Sequence, residues 1–97
     1  MIELLNQLFE IEAKTARLEG VSLSRNIRRM YHELDACGYV AKNPMGEKFT
    51  EQRTDVEASL TCDYHDNMKI TRVLKPIVYK REGGTLVLVQ KGIVMVA

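Results

Sequence analysis

Cys62-Asp63-Tyr64-His65-Asp66 is the one stretch of this chain where a thiol, an imidazole and carboxylates crowd together. A structural zinc site takes four ligands at recognisable spacing, and a single Cys and a single His are too few, so no metal ligand is predicted here. The segment reads instead as a solvated loop whose Asp and Asn side chains make turn hydrogen bonds. Nucleophilic catalysis needs a base, an orienting group and an oxyanion hole beside the nucleophile, and no glycine-rich elbow surrounds Cys37, Cys62 or any Ser. Gly83-Gly84 lacks the lysine-serine pair and the following helix of a phosphate-binding loop, so it reads as a hairpin turn. No catalytic residue and no cofactor is expected, and the chain reads as a binding protein rather than an enzyme.

Arg25, Arg28 and Arg29 carry the other chemical possibility. A basic helix, here over residues 22–37, followed by a short strand and a turn is what a winged helix-turn-helix regulator presents to DNA. Two features oppose that alternative: only one helix precedes the basic one, and the C-terminal β part is far larger than a wing. The formal net charge of +1 and pI near 7.8 also provide no global field for nucleic acid, a membrane or an acidic substrate. The bland reading of the arginines is a solvated helix face.

With 97 residues, of which 45% are hydrophobic, the chain can build one small domain or a helical piece plus a small β piece. Such a chain buries only about 60–65% of the surface its unfolded form exposes, so oligomerisation would help it. Cys37 and Cys62 form no CxxC, and neither a signal peptide nor a run of transmembrane length is evident. Both are expected to be reduced cytoplasmic thiols that pack as small core hydrophobes.

The hydropathy pattern supplies the elements that would position these residues. Residues 1–19 read as a helix with one stripe at Leu4, Leu8, Ile11 and Leu18 and a second at Ile2, Leu5 and Phe9. So broad an apolar face calls for partner surface on more than one side, which helix pairing in a dimer would supply. After Gly20, Ser22 or Ser24 can cap a second helix bearing Leu23, Ile27, Met30, Tyr31 and Leu34 on one face, with Gly38 as its left-handed terminator. From Tyr39 the pattern is β. The alternation Val56, Ala58, Leu60, Cys62 predicts a half-buried strand, Met68 to Leu74 another, and Pro76 a break. Ile77 onward forms a hairpin turned at Gly83-Gly84, and the β-branched run Ile93 to Val96 predicts a last strand buried on both faces. The class is therefore α+β: a helical dimerisation region over 1–38, expected to form a dimeric four-helix bundle, and a small, mostly antiparallel β-domain over 39–97.

The order of these features resembles the C-terminal part of the GrpE family, the nucleotide exchange factors of DnaK-type chaperones. The family's helix ending in a leucine and a glycine before a strand is similar to Leu34 to Val40, and its Gly-x-x-Phe step into the β-domain to Gly46-Glu47-Lys48-Phe49. Its closing strand pair resembles Val87-Leu88-Val89 through Val94-Met95-Val96-Ala97. Departures fall after Phe49, where Thr50-Glu51 replaces Asp-Pro, and at the hairpin tip, where Gly83-Gly84-Thr85 replaces a basic sequence. The resemblance implies a homodimeric co-chaperone whose β-domain binds the chaperone's nucleotide-binding domain, holds its cleft open and so releases ADP. It places Phe49, Leu74 and Val96 where the family's β-domain touches its chaperone, and Gly20 near a glycine of the helix junction.

Overall fold

The computed structural model describes residues 1–18 and 23–97. Two helices, α1 (Ile2–Thr15) and α2 (Ser24–Ala36), are followed by six strands: β1 (Tyr39–Lys42), β2 (Val56–Leu60), β3 (Ile70–Lys75), β4 (Ile77–Glu82), β5 (Thr85–Gln90) and β6 (Gly92–Val96). This is the expected α+β class. The strands form two three-stranded sheets, in the orders β1-β4-β5 and β2-β6-β3. Every strand pair is antiparallel except β2 with β6. Among the described residues no helix is long and apolar enough to cross a membrane.

Helix α1 divides its two apolar stripes between different surroundings. Leu5, Leu8 and Phe9 are buried against the rest of the chain, whereas Leu4, Ile11 and Leu18 remain exposed. The serine cap expected for α2 is not made by Ser24, which already lies inside the first turn; Leu23 holds the cap position without a side-chain hydrogen bond. Ser22, the other cap considered, lies outside the described residues.

The far end of α2 follows the glycine rule. Gly38 has φ 92°, and its N–H donates to the Asp35 carbonyl at 2.8 Å, one of the closing bonds of a Schellman-type terminus. Arg81 of β4 secures this corner: its backbone N–H donates to the Gly38 carbonyl at 2.8 Å and its Nη1 to the Asp35 carbonyl at 2.8 Å. Nη2 also reaches the Asp35 carboxylate at 2.5 Å. A cation is favoured at a helix C-terminus, where unpaired carbonyls concentrate partial negative charge. The helix therefore turns directly into β1 at a fixed angle.

The alternation read through Cys62 stops at Leu60. Its parallel neighbour β6 ends at Val96, whose carbonyl accepts both the N–H and the hydroxyl of Thr61 at 3.0 Å, and the chain bends away. Cys62 follows that bend and Cys37 caps α2, so both thiols are free and exposed, not in the core as expected. The β4–β5 hairpin matches its reading: Gly83 and Gly84 both have positive φ, 56° and 85°, the requirement of a two-residue type I′ turn. In β6 the expected burial on both faces is complete on one only, with Val94 and Val96 buried and Ile93 and Met95 half-buried.

The chain crosses from one sheet to the other at Pro76 and returns at Lys91, and one core draws on both sheets. It comprises Phe49, Val56, Met68, Ile70, Ile77, Val94 and Val96. Gly92 marks the second crossing: a Cβ there would lie 3.0 Å from Ile77 Cγ1 and 3.4 Å from both the Lys75 carbonyl and Val56 Cγ1. In urea unfolding, Gly92→Val should lose about 1–3 kcal/mol by forcing the sheets apart. Gly38→Ala should lose about 1–2 kcal/mol through backbone strain alone. A Gly92→Val midpoint equal to that of the parent would show that the crossing is not tightly packed.

Candidate functional site

The residues singled out for partner binding occupy two different environments. Phe49 and Val96 both belong to the hydrophobic core, 8% and 0% exposed. Leu74 lies on the open side of β3 and is 43% exposed. Gly20 lies outside the described residues. Phe49 and Val96 thus shape the β-domain from inside, and of the three placed residues only Leu74 offers its side chain to a partner.

The segment that seats Phe49 is held by one arginine. Arg53 donates through Nε and Nη2 to the two Asp55 carboxylate oxygens at 2.7 and 3.2 Å, through Nη2 to Glu47 at 2.8 Å, and through Nη1 to the Lys48 carbonyl at 3.1 Å. Backbone bonds from Phe49 N–H to the Met68 carbonyl and from Ile70 N–H to the Glu47 carbonyl, both 2.9 Å, then lay the segment along the outer edge of β3. The Arg53 side chain holds the Asp55 carboxyl below the ordinary aspartate range, chiefly through its hydrogen bond, and Asp55 in turn raises the guanidinium.

A second polar link ties α1 to the strands. Asn6 and Gln90 exchange two side-chain amide hydrogen bonds, at 2.9 and 2.8 Å, and Gln90 Nε2 also donates to the Pro76 carbonyl at 2.9 Å. Asn6 is 7% exposed, so its amide needs these partners. Farther along α1, Glu12 accepts a long 3.4 Å bond from the Tyr31 hydroxyl of α2; burial, followed by the nearby Glu12 charge, pushes this phenol well above its ordinary value. Neither the amide pair nor the Arg81–Asp35 contact was legible beforehand, because each joins residues far apart in sequence. A glutamine ending an otherwise apolar strand was the one available hint.

Two apolar surfaces remain open. Between the helices, Leu4, Leu8, Met30 and Leu34 line a groove of about 460 Å³. In the first sheet, β5 is an edge strand whose Leu86, Val87, Leu88 and Val89 are all exposed. The basic face of α2 is also open, with Arg25, Arg28, Arg29 and His32 all exposed. In the Cys62–Asp66 loop, His65 Nδ1 accepts the Asn67 N–H at 3.2 Å and so closes its own turn. Among the described residues no group of three or more His, Cys, Asp or Glu gathers as a metal site would require.

Comparisons with models of protein families, with curated protein sequences and with solved structures find no match for this chain.

The Arg53–Asp55 pair gives a pH prediction with a definite sign. A carboxyl depressed in the folded state contributes stability that is complete above its unfolded value and is lost as pH falls through the folded one. Stability should therefore decline as the pH drops below about 4. In Asp55→Asn this part of the acid limb should flatten, measured as the urea midpoint at a series of pH values. An unchanged acid limb would mean that the pair does not contribute to stability.

Proposed function

We propose that this chain is a GrpE-like co-chaperone: a homodimer joined through its helices, whose β-domain binds the nucleotide-binding domain of a DnaK-type chaperone and speeds the release of ADP. The observation that carries the reading is that the residues behind the resemblance sit at the structural joints of the fold. Gly38 and Gly46 both have positive φ, at the helix-to-strand corner and at the step before Phe49. Phe49 belongs to the same core as Val94 and Val96 of the closing strand.

The helices support the dimer. The accessible surface is 6668 Å², whereas a compact monomer of 11.1 kDa exposes about 5,650 Å². The difference, about 1,000 Å², belongs to the whole chain, and the exposed edge strand β5 contributes to it as well as the helices. The groove at Leu4, Leu8, Met30 and Leu34 provides an apolar centre for it, rimmed by Arg29 and Glu33. The DNA-binding alternative keeps its exposed arginines, but no third helix accompanies α1 and α2 among the described residues to complete a winged-helix core.

Acceleration of ADP release would be a population shift: a partner that prefers the open cleft lowers nucleotide affinity by the same coupling factor, and about 3 kcal/mol corresponds to roughly 150-fold. Added to a DnaK-type chaperone loaded with fluorescent ADP, the protein should raise the dissociation rate in stopped flow. An unchanged rate at saturating protein would overturn the proposal. Sedimentation should show a dimer that Leu4→Glu and Met30→Glu convert to folded monomer; a monomeric parent would remove the helical interface.

A further inference from the structure

A groove of about 270 Å³ runs between α1 and the outer edge of β3, and its charge is unlike that of the chain as a whole. Lys14 and Arg17 reach it from the end of α1 and the following turn, and Arg72 from β3. Glu10 is the one acid in its lining, so the groove carries a net charge of about +2 where the whole chain has +1. All three cations are exposed, and among the described residues none of them lies in an ion pair. Between them the floor is apolar, formed by Phe9, Ala13 and Leu74.

The strand is shaped for access. Residues 46–49 cover the outer edge of β3 only as far as Ile70, through the bonds at Gly46, Phe49 and Ile70. Beyond it, register shifts on the β6 side fall between Ile70 and Arg72 and between Val73 and Lys75; they flank the Arg72–Val73 pair, and Leu74 lies within the second. Such irregularities re-aim side chains and are common beside functional surfaces. Leu74, which the core has no use for, is thereby set on the groove floor between cations.

We propose that this groove docks an acidic segment of a partner protein, one that brings carboxylates to Lys14, Arg17 and Arg72 and an apolar side chain to the floor at Phe9, Ala13 and Leu74. The inference rests on the groove and its charge, and it holds whether or not the partner is a chaperone. A carboxylate-bearing segment satisfies both parts of the lining. A purely apolar one would leave three cations facing it without counter-charge, and a nucleic acid backbone has no side chain for the leucine floor.

The test is fluorescence anisotropy with a dye-labelled peptide alternating glutamate and leucine, its glutamine-leucine twin, and a labelled oligothymidylate, at about 20 mM and about 300 mM salt. The glutamate peptide should bind at low salt, weaken at high salt, and lose at least about tenfold in affinity in the double variant Arg17→Glu, Arg72→Glu. Leu74→Ser should also weaken it, and Arg25→Glu, on the other basic face, should leave it unchanged. Arg17→Glu alone, in a turn outside the strands, keeps the result readable if the change in β3 disturbs folding, which circular dichroism checks. Absence of binding at low salt would overturn the proposal. So would equal binding of the glutamine twin, equal loss in Arg25→Glu, or tighter binding of the oligothymidylate that is lost in the same variants.

Discussion

Everything in the β-domain depends on how closely two small sheets approach at the start of β6. Each has only three strands, and the core draws residues from both. Ile77, the first residue of β4, belongs to one core with Val56 and Val94 of the other sheet, and a side chain at Gly92 would crowd Ile77 and Val56. Pro76 and Lys91, the two crossings, are therefore the points where the chain changes sheet without opening the core. Gln90, one residue before the second crossing, fastens the same junction to α1 through Asn6 and to Pro76 through its carbonyl. Helix, first sheet and second sheet converge on a few residues.

That convergence explains which parts of the fold were legible in the sequence. Local rules were sufficient where a backbone conformation was at stake: Gly38 ended α2, Gly83-Gly84 turned the hairpin, and Pro76 broke the strand run, each for a steric reason carried by the residue itself. They failed where the outcome depended on a distant partner. Strand β2 stops at Leu60, whose parallel partner is Val96, the last residue of β6 and more than thirty positions later. The period-two pattern continues to Cys62, but a pattern cannot register the length of a neighbour. The cysteines were misplaced for the same reason: their small apolar character suits a core, yet a helix cap and a bend put them at the surface.

The candidate binding residues divide along this line. The resemblance puts Phe49 and Val96 at the partner contact, whereas in the free protein both belong to the hydrophobic core. Their replacement would act on every surface of the β-domain at once, through stability. Leu74 alone among the placed residues combines the chosen position with exposure, and it lies beside cations from α1 that no motif singled out. Sequence reading assigned α1 to dimerisation because its apolar residues dominate its pattern. Its C-terminal charges, Lys14 and Arg17, acquire meaning only once the fold lays them opposite Arg72.

The two faces of α1 therefore serve different purposes in the proposed assembly. One carries Leu4 and Leu8 toward the groove it shares with α2, where a second copy is proposed to dock. The other carries Phe9 and Ala13 toward β3, where the charge favours a different, acidic partner. The Asn6–Gln90 amide pair lies near the N-terminal end of the same helix and fixes its placement on the β-domain at 84 residues' separation in sequence. Were the helix free to rotate, Leu4 and Lys14 could not both keep their settings, since a turn that buried one stripe would carry the other away from its strand. A part-buried reciprocal amide pair is well suited to this restraint: it adds modestly to stability but imposes a single register, because any slip leaves two amides without these partners.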